Sequence, residues 1–272
     1  MADLTAIARE LRQAYALRQP TAQPSAGEGG LDLDAAYAVE HELVRLKRAD
    51  GRRTVGLKVG FANKAVWRAL KLDTLVWAHM YDDTVRFADG GTSALSLARM
   101  HAPKIEPEIV FKMKRSLAPD TTDPAAVLDA VDWIALGFEV IDCVYPDWTF
   151  QPADFVAGYG LHAALVVGTP VAVDAVGAAA LVEALPRFAV TLSRDGQVVA
   201  EGSGRNSLRS PALCLGELAS ALSRRAGAEP LAAGDLVSSG TLTESQPIAV
   251  GQTWSAVVGG LDVPSLTATF TA

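Results

Sequence analysis

The sequence predicts an α+β chain: a helical N-terminal segment over residues 1–70, then a β-rich body over residues 71–272. Three observations predict it. Apolar side chains up to Gly51 recur at helical spacing. Beyond Thr54 the apolar runs are short and rich in β-branched residues, and Gly, Pro or Asp bound them. No internal repeat or low-complexity linker separates the two parts, which can therefore form one continuous domain.

The elements follow in order. Leu4, Ile7, Ala8, Leu11, Ala14 and Tyr15 define an amphipathic helix from Leu4 to Arg18. A Pro/Gly/Ser/Ala-rich loop runs from Gln19 to Gly30. A second helix follows with Asp34 as its expected N-cap, ending near Asp50-Gly51. Thr54 to Phe61 (TVGLKVGF) reads as a strand entering a turn, and Asn63 to Leu70 as a helix start. Lys104 to Lys114 and Trp133 to Cys143 are the two best strands, and Pro124 to Val131 a short helix between them. Tyr145 to Ala157 reads as an aromatic, Pro-containing loop, and Ala163 to Gly168 as a strand. Ala178 to Leu185 and Pro211 to Arg225 read as helices. Phe188 to Ser193 and Gln197 to Glu201 form a hairpin, because Asp195-Gly196 suits a type I′ turn. Gly202 to Ser210 is a polar loop, Gly234 to Thr241 a strand entering a Gly-Thr loop, and Trp254 to Phe270 closes the chain with β-structure.

Composition narrows the function classes. Half of the 272 residues are hydrophobic, enough for a sizeable core. The net charge of −7 and the lack of a basic stripe argue against a nucleic-acid partner. The two cysteines, Cys143 and Cys214, stand apart in apolar runs, as buried thiols of a reducing cytoplasm do. Met1-Ala2-Asp3-Leu4 does not begin a signal peptide, and no charge-free run is long enough to span a bilayer, so no membrane partner is expected. A cytoplasmic protein acting on a small molecule is the expectation.

The chemistry concentrates in Lys104-Ile105-Glu106-Pro107-Glu108-Ile109-Val110-Phe111. Side chains alternate along a strand, so Glu106 and Glu108 share a face. Glu139 lies in the middle of a second apolar strand, WIALGFEVIDC. Three buried acids need compensation, since an unpaired buried carboxylate is very costly. An all-oxygen set suits a hard cation such as Mg²⁺. Ion pairs with Lys58 or Lys104 are an equal reading of the pattern. Lys58, among glycines and apolar residues, reads most simply as a lysine running along a strand edge; the sharper reading puts it inside a site. Asp82-Asp83 reads as a solvated turn or as a source of one general base. His162 can act as an acid or base, although a histidine at the core edge is the simpler reading. His41 carries no role. No zinc spacing, dinucleotide fingerprint or Gly-x-Ser-x-Gly elbow is present.

Four segments together resemble one family: VGLKVG (55–60), KIEPEIVF (104–111), ALGFEVID (135–142) and GDLVSSGT (234–241). The chain resembles the fumarylacetoacetate hydrolase superfamily, in particular the branch of 2-keto-4-pentenoate hydratases and 4-oxalocrotonate decarboxylases. The likeness spans nearly the whole chain. It implies a mixed β-roll body and a Mg²⁺ or Mn²⁺ ion held by Glu106, Glu108 and Glu139. It implies Lys58, Asp82 and Asp83 as catalytic residues, and a substrate pocket with Lys104, Tyr159, His162, Ser239 and Thr241. The implied activity is a metal-dependent hydro-lyase converting a 2-hydroxy-dienoate to a 4-hydroxy-2-oxo acid, as in aromatic-compound catabolism. The alternatives are decarboxylation of 2-oxo-3-hexenedioate, with Arg205 or Arg209 receiving the second carboxylate, or a non-catalytic role stabilising a sister enzyme. A homo-oligomer, or a complex with such a sister enzyme, is also implied. The chain departs from the branch at Ala157-Gly158-Tyr159-Gly160-Leu161-His162, which lacks the usual Asp-Asn pair, and at Cys143-Val144, which replaces a usual Arg.

Overall fold

The computed structural model describes residues 3–272, without the side chains of residues 175–176. Met1 and Ala2, part of the signal-peptide reading, lie outside the described residues. Helix α1 (Leu4–Leu17) is capped by Asp3, whose carboxylate accepts from Ala6 N at 3.0 Å. It buries Ala8, Leu11 and Ala14, as its spacing predicts. Helix α2 (Leu33–Ala49) is capped by Asp32, not by the expected Asp34. Asp34 is already inside the first turn, where its charge suits the helix dipole, and it pairs with Arg225 at 2.6 Å.

Strand β1 (Thr54–Gly60) follows, then α3 (Lys64–Leu70), β2 (Val76–Tyr81), β3 (Val85–Phe87) and β4 (Thr92–Ser96). The long strands β5 (Pro103–Met113) and β6 (Val131–Asp142) flank α4 (Pro124–Leu128). Then come α5 (Pro152–Ala157), β7 (His162–Val167), β8 (Val171–Ala172), α6 (Ala175–Ala184), β9 (Ala189–Arg194), β10 (Gln197–Ser203) and α7 (Pro211–Ser223). Strands β11 (Leu236–Ser238), β12 (Gln246–Pro247), β13 (Thr253–Gly259) and β14 (Leu266–Thr271) complete the chain.

The larger sheet has the order β2-β1-β11-β5-β6-β7-β3, with β8 and β12 pairing outside that path. Its first and last strands are consecutive in sequence, joined only by Asp82, Asp83 and Thr84. So short a link forces the sheet to curl until its edges meet. Asp82 N bonds to Arg53 O beside β1 at 3.0 Å, and Leu165 N of β7 bonds to Thr84 O at 2.9 Å. The result is the β-roll that the resemblance implies. Strand β1 lies inside this sheet between β2 and β11, so the body begins at Thr54 and not after residue 70. Both helices of the N-terminal segment share one apolar core with the roll.

A five-stranded second sheet, β10-β9-β13-β14-β4, holds the expected hairpin. Asp195 (φ 51°) and Gly196 (φ 80°) both take positive φ, as a type I′ turn requires. Helix α5 falls where the sequence reads as loop. Pro152 suits a helix's first position, and Asp154 accepts from Gln151 N at 2.8 Å. Asp154 also accepts from Ser25 N and Ser25 Oγ at 2.8 and 2.6 Å, fastening α5 to the N-terminal loop. Among the described residues no helix is long and apolar enough to cross a membrane.

Candidate functional site

The pairing of β5 with β6 assembles the acids. Glu106 lies directly opposite Glu139, and Glu108 opposite Gly137. One carboxylate oxygen from each of the three lies within 4.8 Å of the others. On the other side of β5, β11 pairs only as far as Val110 and β12 begins at Ile105. The 239–245 loop crosses that gap, bonding Ser239 N to Ile109 O and Leu242 N to Pro107 O. Pro107 has no N–H to leave unpaired there, which makes a mid-strand proline tolerable. The crossing brings the Gly-Thr loop to the carboxylates.

Each acid has a different environment. Glu108 is fully buried; its Oε2 accepts from Ser238 Oγ at 2.5 Å and Gly240 N at 2.8 Å. Its Oε1 has no hydrogen-bond partner among the described residues. Glu139, also fully buried, is held at Oε1 by His162 Nδ1 and at Oε2 by Lys58 Nζ, both at 2.9 Å. Glu106 keeps some exposure and faces a cavity. Lys58 is 2% exposed and lies 5.0 Å from the Phe155 ring centroid.

The ion-pair reading therefore holds for Glu139 but does not balance the site: three carboxylates face one buried ammonium. Protonation equilibria follow from this imbalance. Burial, reinforced by Glu139, pushes Glu106 up to about 7 even though Lys58 opposes it. Burial and the other two acids push Glu108 well above the carboxylate range. Burial acts the same way on Glu139, but Lys58 and His162 overcome it and hold Glu139 low. Burial alone would lower Lys58; the three acids outweigh it and raise it, so Lys58 is charged. Two acids are left short of positive charge. The unsatisfied Glu108 Oε1 and the all-oxygen donor set fit a hard divalent cation.

The cavity at Glu106 measures about 580 Å³. Its polar lining includes Lys58, Lys104, Glu106, Asn206, Thr241 and a further carboxylate, Glu244. Phe61, Trp148, Phe150, Phe155, Ile141 and Leu161 supply an apolar wall. Phe155 contacts Phe61 and Phe150 with centroids 5.1 and 6.2 Å apart. Lys104 Nζ lies 3.9 Å from the Trp148 ring centroid.

Of the residues expected at the site, Lys58, Lys104, Glu106 and Thr241 thus line one cavity, with Glu108 and Glu139 alongside. Ser239 does not line it: its Oγ donates to Ile109 O at 2.8 Å and its carbonyl accepts from Ser207 Oγ, supporting the loop. Tyr159 and His162 face a second cavity of about 530 Å³, with Arg12, Tyr15 and Lys47; His162 reaches Glu139 from that side. Asp82 and Asp83, expected to move protons, line neither cavity. They sit in the turn that closes the roll, Asp82 paired with Arg53 and Asp83 with Arg52, each at 3.2 Å. Arg205 and Arg209 border a small adjoining depression with Lys64, which shares Ala62, Asn63 and Asn206 with the first cavity.

Several lining residues escape the sequence reading. Phe150 and Phe155 sit in the stretch read as loop, and Asn206 in a polar loop whose position needs the fold. Ser238, which holds Glu108, carries no signal of its own. The stretch that departs from the branch is a left-handed turn: Tyr159, Gly160 and Leu161 take φ of 59°, 60° and 57°. That conformation costs a non-glycine residue roughly 1–2 kcal/mol.

Comparison with known proteins finds similar chains. The family model for the fumarylacetoacetate (FAA) hydrolase C-terminal region matches residues 78–269. A 2-hydroxyhexa-2,4-dienoate hydratase of Comamonas testosteroni is 28% identical over 240 residues, covering 87% of this chain and 86% of its own. A 4-oxalocrotonate decarboxylase of Pseudomonas sp. strain CF600 is 31% identical over 216 residues, covering 79% and 78%. A solved 4-oxalocrotonate decarboxylase of Pseudomonas putida G7, complexed with magnesium and adipate, superposes with a TM-score of 0.87 at 25% identity, covering 98% and 97%.

Proposed function

This chain belongs to the fumarylacetoacetate hydrolase C-terminal family, and we propose that it is a divalent-metal-dependent hydratase converting a 2-hydroxy-dienoate to a 4-hydroxy-2-oxo acid. The observation that carries this reading is the unbalanced carboxylate set beside a cavity with an apolar wall. Glu106, Glu108 and Glu139 would hold Mg²⁺ or Mn²⁺, which supplies Lewis acidity toward a 2-oxo acid's oxygens.

The chain's own residues do the rest. Lys58 is charged, and that charge attracts the substrate's carboxylate or 2-oxygen. It can give a proton but not act as a base at neutral pH. Glu139 keeps Lys58 in place, and Ser238 and Gly240 hold Glu108. Thr241 Oγ1 donates to Thr243 O at 2.8 Å, fixing the loop against the cavity. Asn206 Nδ2 donates to Leu242 O at 2.7 Å, leaving its carbonyl oxygen to accept from a substrate or water. Hydration needs a proton at the distal carbon of the dienol as the enol O–H proton is lost, then water across C3=C4, with its oxygen on C4 and a proton on C3. Phe61, Phe150, Phe155 and Leu161 form a wall suited to a short hydrocarbon tail.

Lys104 favours a second reading, decarboxylation of 2-oxo-3-hexenedioate, because it is a cation on the same cavity that could receive a second carboxylate. Arg205 and Arg209 line the adjoining depression, which shares Ala62, Asn63 and Asn206 with this cavity, and are not in the cavity's own lining. Purified protein with Mg²⁺ or Mn²⁺ should consume 2-hydroxypentadienoate without releasing CO₂. CO₂ release from 2-oxo-3-hexenedioate would favour decarboxylation. Metal binding without turnover of either compound would replace both with a non-catalytic partner role. A homo-oligomer and a complex with a sister enzyme remain part of this proposal, as does a cytoplasmic setting, which suits two buried free thiols.

A further inference from the structure

We propose that His162 is a positioning residue that sets the orientation of the Glu139 carboxylate for the metal; this rests on the metal-centre reading above. His162 is 8% exposed and stands between the carboxylates and the second cavity. An ionised carboxylate only accepts, so His162 Nδ1–H donates to Glu139 Oε1 at 2.9 Å. On the other side of the ring, Nε2 is 2.9 Å from Thr84 Oγ1. Thr84 is fixed in turn: its hydroxyl accepts from Tyr81 N at 3.2 Å, and its single proton serves either Tyr81 O at 3.0 Å or, with Nδ1–H given to Glu139, His162 Nε2. A continuous series of contacts thus runs from the turn that closes the roll, through Thr84 and His162, to Glu139 and on to Lys58.

Glu139 needs such a brace. Its two oxygens are claimed from opposite sides, by Lys58 at Oε2 and His162 at Oε1. With only Lys58, the carboxylate could rotate toward the ammonium and away from Glu106 and Glu108. The left-handed turn at Tyr159–Leu161 delivers the imidazole at the first residue of β7. Gly160 permits this: a Cβ there would come within 2.7 Å of Ala78 Cβ and 2.8 Å of Lys58 Cδ. The backbone strain of the turn coincides with a group that touches the site, where such strain is commonly found.

The test is Mn²⁺ affinity of the full chain, read by electron paramagnetic resonance of free Mn²⁺, independently of turnover. Asn can place an amide N–H where Nδ1–H lies, Gln reaches only the Nε2 position, and Ala offers neither. His162→Ala and His162→Gln should weaken Mn²⁺ binding about 10–100-fold, as for partners that orient metal ligands, and His162→Asn clearly less. Unchanged affinity in His162→Ala, or equal losses in the Asn and Gln variants with unchanged melting temperature, would overturn the inference. If no His162 variant folds, Thr84→Val decides: weakened binding supports the brace and unchanged binding removes it. Wild-type protein that does not bind Mn²⁺ would overturn the metal-centre reading and this inference together. Binding lost in Glu108→Gln but retained in His162→Ala overturns only this one.

Discussion

The two faces of the β5–β6 pair are made from alternate residues of the same strands, yet they do different work. One face carries Ile105, Ile109, Phe111, Phe138 and Val140, all fully buried in the main apolar core. The other carries Glu106, Glu108 and Glu139, then, farther along, Val110 and Ala135 in a separate small cluster with Met80, Leu165, Val167 and Leu236. The first face stabilises the strands by removing apolar area from water. The second concentrates negative charge, which a packed sheet resists. The apolar face holds the strands in register while the other face carries a charge set that the fold has to tolerate.

The largest effect should come from breaking the apolar face. Phe138→Ala should cost about 3–5 kcal/mol of stability, measured by denaturant unfolding, while the folded fraction keeps its metal affinity. A loss of metal affinity in the folded fraction would show that the two faces are not separable. Next is Glu108→Gln. It removes a buried acid with an unsatisfied oxygen, so the metal-free protein should melt no lower than wild type while Mn²⁺ binding and turnover collapse. A lower melting temperature without metal would make Glu108 a stabilising residue and erase the contrast between the faces.

A pH series sharpens the comparison further. Glu106 is raised from 4.5 to about 7 and Glu108 is also raised, so the folded metal-free protein holds protons that the unfolded chain releases. Their contribution to stability is present below the unfolded value and is lost as pH rises toward 7. Metal-free melting temperature should fall across that window. The gain in melting temperature on adding Mn²⁺ should grow over the same window, because binding displaces those protons. A Mn²⁺ shift independent of pH would remove the link between protonation and the metal. The smallest effect belongs to Asp82→Asn, at the closing turn: a slight loss of melting temperature with turnover unchanged. A large fall in turnover would restore Asp82 to the chemistry.

Much of this is legible in the sequence because it is local. Period-two alternation puts Glu106 and Glu108 on one face without knowledge of any partner strand. The Asp195-Gly196 turn is specified by its own two residues. What is not legible depends on registers and contacts between distant segments. Nothing near Glu139 says that it pairs with Glu106 rather than Glu108. Ser238 acquires its role only because β11 lies beside β5. The prolines and aromatics of 145–157 read as loop, although Pro152 opens a helix that presents Phe155 to the cavity. The Asp82-Asp83 pair, acidic and next to a strand, has the same composition whether it closes a barrel or moves a proton.

Strand β11 gives the site a dependence on chain order. It pairs with β1 on one side and β5 on the other, although both precede it by most of the chain. Until residues near 236–240 dock, the two halves of the roll have a missing stave, and Glu108 has neither the Ser238 hydroxyl nor the Gly240 amide. A chain growing from its N-terminus makes all three acids early and completes their surroundings late. The carboxylate centre is therefore a product of long-range closure and of the slow, non-local side of folding. A fragment ending before β11 would contain the three acids without containing the site.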